Sequence, residues 1–492
     1  MTIVHRVLFP HPIVDLDEYL ARGGGKGLEA ARQSGPETLI AELEAAGLRG
    51  RGGAGFPTGT KWRTVAANRS SMFPTTVVVN GAEGEPGTFK DRTILRNDPY
   101  QVVEGALIAA QAVGANTVIF GLKRSFGEEV ARLQSAIDEI VAAGWAQGIE
   151  IEVFEGPNEY LYGEETALLE TIDGRYPFPR IAPPFRRGVT EVVATVGDTT
   201  SGSGLSAHVE MAGAGSDQVA PPTLVDNVET LANVPRIIAR GAAWFRTEGT
   251  EKSPGTIVCT VTGSTRRHGV GEVQMGTPLR EVIEAIGGGP HPGRRIRAVL
   301  PGTAQGFITE DQLDTPVSYE AMAAIGSGLG SAGFIVFDDT DDLVAAAAGV
   351  SRFLSIESCG QCTPCKQDGL QLAGVMDKLS RSQAGAHDMA ILHKRVGTVA
   401  DGARCYLATQ HQNVLSSLLA AYPDEVEAHV AGTATGVTPA LIAELVDVDG
   451  GQATWDERHR EKQPDWTYDA EYSGKVPAER YGEHRAHQTL PE

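Results

Sequence analysis

Five cysteines in 492 residues are too few for a disulfide framework, and no secretory signal accompanies them, so cross-linked stability is not expected. No apolar run approaches the roughly 18 residues that a membrane span requires. Stretches such as 343–350, Leu-Val-Ala-Ala-Ala-Ala-Gly-Val, are too short. Positive charge is also scarce. Forty-two Lys and Arg face 63 Asp and Glu, a formal charge of −21, which argues against nucleic acid as a partner and favours basic or neutral proteins. A cytoplasmic chain, at most peripheral to a membrane complex, is the expectation. Otherwise the composition is that of an ordinary globular protein, 41% hydrophobic and 21% charged. The length exceeds the 250 to 300 residues, approximately, at which a single core stops growing, so two or more domains are expected.

Four of the few cysteines are concentrated. Cys359, Cys362 and Cys365 stand in one CxxCxxC run, and Cys405 follows forty residues on. Such a turn points three thiolates into one small volume and a distant fourth closes the cage, the arrangement that holds a cubane [4Fe–4S] cluster. Structural zinc is the second reading, because it prefers paired CxxC knuckles to three ligands crowded in one loop. Cys259 lies in an alternating strand pattern and reads as a small buried apolar residue.

Along the chain, after an irregular start, 36–46 predicts a helix with Pro36 in its first turn and Gly47 as its stop. A glycine-rich loop follows. Residues 77–80, 118–121 and 149–154 read as strands, alternating with helices at 102–113 and 128–143, which predicts a layered α/β domain running to about residue 250. Short alternating strands, a helix started by Pro278 and a strand at 296–300 then mark a small α+β module to Asp339. Residues 340–430 are mainly helical, with Leu372, Val375, Met376 and Leu379 on one face, and the cysteine loop lies between two such helices. The polar tail, 431–492, carries Trp455, Trp466, Tyr468, Tyr472 and Tyr481 among charges. It reads as an irregular arm available to a partner, with solvated disorder as the alternative.

Gly50-Arg-Gly-Gly-Ala-Gly55 matches GxGxxG, but a helix rather than a strand precedes it, so a Rossmann turn is the wrong structural reading. Its glycines still let backbone N–H groups approach a phosphate, with Lys61 adding charge and Phe56 and Trp62 suiting a flat ring. Residues 80–87 form an acidic turn bearing Glu83 and Glu85 at a strand's carboxyl end, where α/β sheets bind ligands. A third segment, from Tyr160 through Gly163, Glu164 and Glu165, opens a helix. Singly, each acidic segment reads as a solvated turn or a helix-dipole partner; the combination suggests a cofactor pocket.

The ordered series GLRGRGGAGFPTGTKW, NGAEGEPGTFKDR, YGEETALLETIDG, PPF, DNVETLANVP and ESCGQCTPC resembles the flavoprotein subunit that takes electrons from NADH in respiratory complex I and in related hydrogenases and formate dehydrogenases. The resemblance covers roughly residues 36 to 430. It implies an FMN-binding α/β domain at 1–250, a β-grasp soluble-ligand-binding module at 251–339 and a helical bundle with one [4Fe–4S] cluster at 340–430. Carried across by position, it puts the FMN phosphate at Gly50, Gly52, Gly53, Gly55 and Lys61, with Asn80, Glu83, Tyr160, Gly163, Glu164, Asp226 and Asn227 around the flavin. NADH would stack near Phe56 and Phe185 and hydrogen-bond to Glu85 and Glu165. Hydride would pass from nicotinamide to flavin, then single electrons to Cys359, Cys362, Cys365 and Cys405 and onward to a [2Fe–2S] or ferredoxin-like protein or a larger iron–sulfur subunit.

The chain departs from the family on the nicotinamide side. Ala82 and Ala182 stand where relatives carry Asp and Lys, Thr64 replaces an aromatic, Asp226 replaces an asparagine, and a Gly/Ser-rich insertion spans 186–221. These departures support a second reading, an FMN and [4Fe–4S] subunit that exchanges electrons with a ferredoxin and has an altered nicotinamide site. Because the flavin pocket and the cysteines fall in different predicted domains, Ser at position 365 or 405 is expected to abolish the cluster and leave the flavin in place.

Overall fold

The computed structural model describes residues 3–69, 73–181 and 222–484. Phe185, Ala182 and the insertion at 186–221 lie outside the described residues.

The β-branched run Thr-Thr-Val-Val-Val forms β1 (Thr75–Asn80), buried on both faces as a central parallel strand must be. It pairs in parallel with β2 (Ala115–Lys123), which pairs in parallel with β3 (Glu150–Gly156). On its other edge β1 takes β4 (Thr223–Asn227), also parallel, with Asn80 opposite Asn227. The order is therefore β3-β2-β1-β4. The chain leaves β1 toward one side and returns on the other, so the carboxyl ends of β1 and β4 flank a topological switch point, where such sheets open a crevice. Helices Pro99–Val113 and Val228–Arg240 pack on this sheet and, with Pro36–Ala46, close the first core. Gly47 ends Pro36–Ala46 in the left-handed region at φ 69°, as the sequence predicts.

The second sheet is mixed. Strands β5 (Thr256–Gly263), β6 (Gly269–Gln274), β7 (Ile296–Pro301), β8 (Ile308–Thr309) and β9 (Gly333–Asp338) run in the order β6-β5-β9-β7-β8, with only β5 and β9 parallel among neighbours. It builds its own core around Ile257, Val261, Phe334 and Val336. The third core is helical: Leu343–Glu357, Thr363–Ser380, Ala386–Thr398 and Leu407–Ala421 bury Leu372, Met376, Leu392 and Leu415 against one another. The architecture is α/β, a layered parallel domain followed by a small mixed-sheet module and a helical bundle.

Two stretches differ from the sequence reading. The irregular start contains helices Leu16–Ala21 and Lys26–Arg32, interrupted by Gly23, Gly24 and Gly25, which blur any helical period. The tail is not a free arm: hairpin β10 (Leu445–Asp449) and β11 (Gln452–Trp455), a short 3₁₀ turn and helix Pro477–His484 lie against the body, and Trp466 is buried. Its aromatic residues find apolar partners, among them Phe178, within this chain. Among the described residues no helix is long and apolar enough to cross a membrane.

Candidate active site

The crevice at the ends of β1 and β4 is a cavity of about 760 Å³. Its lining comes from the domains of all three cores: the glycine loop, the acidic turn after β1, the Tyr160 segment and the end of β4, residues 327–331 of the second module, and Tyr406, Leu407 and Gln410 of the bundle. All the described residues carried across for FMN and NADH line it, Phe185 lying outside the described residues, whereas Trp62, suggested for a flat ring, is buried behind the wall and donates to Asp226.

The glycine loop lies between helices Pro36–Ala46 and Thr58–Ala67, as expected, and an isolated bridge from Arg49 to Pro57 closes it. Compactness is required of it. A Cβ on Gly52 would come 3.2 Å from Asn227 and one on Gly55 only 2.5 Å from the Tyr319 ring. The amides of Gly52 and Gly53 have no protein acceptor among the described residues. Thr58 lines the same cavity, and its buried Oγ1 likewise lacks a protein partner. Unmet donors of this kind around a crevice fit an anionic ligand such as a phosphate.

Sequence reasoning missed what holds this loop. Arg51 is fully buried and donates to the carbonyl oxygens of Arg49, Pro254 and Thr256, while its amide donates to Thr230 Oγ1. Tyr319 donates its hydroxyl to Gly50 O at 2.7 Å, and the Arg49 guanidinium stacks on the Tyr319 ring. Both anchors reach into the second module. The only sequence signal for Arg51 was its place among the glycines; Tyr319 carried none.

Several predicted residues are engaged in shaping the walls. Glu83 accepts from the amides of Lys90 and Asp91 and from Arg92 Nε, and burial raises its pKa. Glu164 caps helix Glu165–Ile172, accepting from the amides of Thr166 and Ala167. Asn80 Nδ2 donates to Gly163 O, tying the β1 end to the Tyr160 segment. Asn227 caps Val228–Arg240, accepts from Lys90 Nζ and donates to Asp91. Lys61 donates to Glu165 and to Val225 O. Glu85 accepts from Ser331 Oγ and the Thr303 amide, and burial raises its pKa too. Asp226 accepts from Trp62 Nε1 at 2.7 Å, and burial pushes its carboxyl up to about 6. Phe56, by contrast, is half exposed at the cavity wall, a face open to a stacking ring.

Behind one wall lies a second, smaller cavity lined by Cys359, Cys362, Cys365 and Cys405. Cys359 lies in the turn after Leu343–Glu357, Cys362 caps helix Thr363–Ser380, Cys365 stands in that helix's first turn, and Cys405 comes just ahead of Leu407–Ala421, so the N-terminal ends of two helices deliver all four sulfurs. Burial pushes the Cys359 thiol up to about 12, so ligation must release protons there. Among the described residues no three His, Cys, Asp or Glu side chains converge closely enough to hold a single metal ion. The four thiols line one small cavity, three from a single turn and one from a distant loop, a donor set that fits a cubane better than the paired knuckles of structural zinc. Leu161, Cys405 and Leu407 line both cavities. The expectation that the pocket and the cysteines are separate is thereby corrected: the bundle packs on the crevice and lends it a cysteine.

Comparison with known proteins agrees with this layout. Residues 43–236 match the family described as the Nuo51 FMN-binding domain, and residues 345–429 match the NADH-ubiquinone oxidoreductase-F iron-sulfur binding region. The chain is 34% identical to the F 2 subunit of the NADH-quinone oxidoreductase of Rhizobium meliloti (strain 1021), over 84% of this chain and 94% of the relative. It is 33% identical to the F subunit of the NADH-quinone oxidoreductase of Streptomyces coelicolor (strain ATCC BAA-471 / A3(2) / M145), over 88% and 92%. Among solved structures it resembles a chain of the NAD+-reducing [NiFe]-hydrogenase in the H2-reduced state, with a TM-score of 0.71, 29% identity, and coverage of 85% of this chain and 67% of the other.

Proposed function

The chain belongs to the family of NADH-quinone oxidoreductase F subunits, FMN and [4Fe–4S] flavoproteins of NADH-oxidising complexes, and on that premise we propose how its own residues serve that activity. When bound, the two groups supply conversion of the electron pair of NADH into single-electron transfer. The large crevice holds FMN, its phosphate on the amides of Gly52 and Gly53 that no described residue accepts from, with Gly50 and Gly55 permitting the close approach and Lys61 supplying an ammonium in the lining. Asn80, Glu83, Tyr160, Gly163, Glu164, Asp226 and Asn227 shape the flavin's surroundings. Phe56 stacks on NADH while Glu85 and Glu165 accept from its hydroxyl or ring N–H groups, and Phe185 belongs to the same set by position. Cys359, Cys362, Cys365 and Cys405 ligate the cluster.

The observation that carries this reading is the wall shared by the two cavities, Leu161, Cys405 and Leu407. It brings an apolar side-chain layer and one sulfur ligand against the flavin crevice, so electrons have a short covalent and van der Waals route between the two sites. No other cysteine motif remains in the chain, since Cys259 is buried in β5. Electrons therefore leave to another protein of the complex, and a [2Fe–2S] or ferredoxin-like protein, or a larger iron–sulfur subunit, is the acceptor. We place the complex in the cytoplasm or at a membrane's face. The test is anaerobic titration of FMN-loaded protein with NADH. Bleaching of the flavin absorbance is expected; a fully loaded protein that no concentration of NADH reduces would overturn the assignment in favour of exchange with a ferredoxin.

A further inference from the structure

Both matched family segments end before residue 430, yet the chain beyond turns back onto the cysteine loop. Lys462 Nζ donates to Glu357 Oε1 at 2.7 Å, and His459 faces the same oxygen. Lys366, the buried residue after Cys365, donates to Pro464 O at 2.6 Å as well as to Ser355 O and Ser358 O. Trp466 donates its indole N–H to Ile356 O at 3.0 Å, and the Ala478 amide donates to Cys359 O at 2.9 Å. Gly360 has φ +85°, and a Cβ there would meet Val476 at 2.5 Å.

These contacts fall on one short segment, residues 355 to 366, whose carbonyl oxygens no helix satisfies at the turn. They are also held at a cost. Trp466 has φ 67°, a left-handed backbone that a bulky residue keeps only when its surroundings over-determine it. Its ring lies 5.8 Å from Phe178 and 6.4 Å from Tyr481. The covering is one-sided: Cys359 and Cys365 are buried, while Cys362 and Cys405 are partly exposed.

Resting on the reading that the cysteines hold a cluster, we propose that residues 456–481 are part of the cluster site, a clamp that positions Cys359 through its backbone carbonyl and Cys365 through the neighbouring Lys366, and keeps water and oxygen from that side. Groups hydrogen-bonded behind metal ligands govern retention of the metal. Trp466 and Lys462 are positioning residues in this sense, since neither touches sulfur.

The full-length chain, reconstituted anaerobically with iron and sulfide, is compared with Trp466→Phe, Lys462→Met and Lys462→Arg. The readouts are iron and sulfide per chain, the electron paramagnetic resonance spectrum of the reduced cluster, and the decay of cluster absorbance in air. Trp466→Phe and Lys462→Met should lose the cluster in air about tenfold faster and show a shifted resonance spectrum, with FMN content unchanged; Lys462→Arg should restore wild-type behaviour. Wild-type lifetimes and spectra in both disruptive variants would overturn the clamp. A variant whose circular dichroism reveals misfolding is set aside, and Trp466→Phe, which keeps an aromatic ring, then decides. Failure of the wild-type chain itself to take up iron would instead overturn the reading of the cysteines.

Discussion

Asp226 stands at the end of β4, buried in the crevice wall. Its carboxyl is buried beside Lys61 and Glu165 and accepts from Trp62. Burial lifts its pKa from 3.8 to about 6, so the folded cofactor-free protein keeps this proton at pH values where the unfolded chain has lost it. A raised carboxyl value means that stability declines as pH rises from about 4 through 6. Asp226→Asn cannot ionise and can keep the acceptor for Trp62. It should therefore be more stable than wild type above pH 6, by about 3 kcal/mol, and equal to it below pH 4. Denaturant melts across that range check this; an Asn variant less stable at pH 7 would show that attraction to Lys61 outweighs burial.

At the scale of elements, the two helices that carry cysteines differ in where they stand. Cys362 caps Thr363–Ser380 inside the bundle, whereas Cys405, ahead of Leu407–Ala421, also lines the large crevice proposed for the flavin. Replacing either by Ser removes a ligand and should abolish most cluster iron. Only Cys405→Ser should also alter the flavin, seen as changed fluorescence or several-fold weaker FMN binding, because Leu407 and Gln410 follow it along the same wall. Equal flavin properties in both variants would contradict the shared wall.

For the whole molecule, the crevice is where three cores meet. Arg51 and Tyr319 tie the glycine loop to the second sheet, and Tyr160 donates to Gln410 of the bundle. A ligand filling that junction binds only when all three are assembled, so FMN should raise the melting temperature of the chain as one transition. At a free concentration 100-fold above Kd the gain is about 2.7 kcal/mol. Calorimetry showing only one of several transitions moving would mean that the three parts unfold independently.

Much was legible in the sequence because it is local. β-Branched runs made strands, Pro36 and Gly47 bounded a helix, and the CxxCxxC spacing alone placed three sulfurs within one turn. Glycine and acidic turns could be read by their chemistry as suited to a ligand, and the described residues carried across for FMN and NADH do line one cavity. The sequence by itself thus determined the elements and which residues have free chemistry to offer. It could not show Arg51 pinned under carbonyl oxygens some two hundred residues away, Tyr319 closing the loop, or the tail settling on the cysteine turn, since such contacts depend on burial between distant segments and leave no period or spacing. Tertiary packing alone decided that Cys405 belongs to two cavities at once, because only the docking of the helical bundle on the open end of a parallel sheet puts the cysteine cavity and the large crevice on opposite sides of the same side chains.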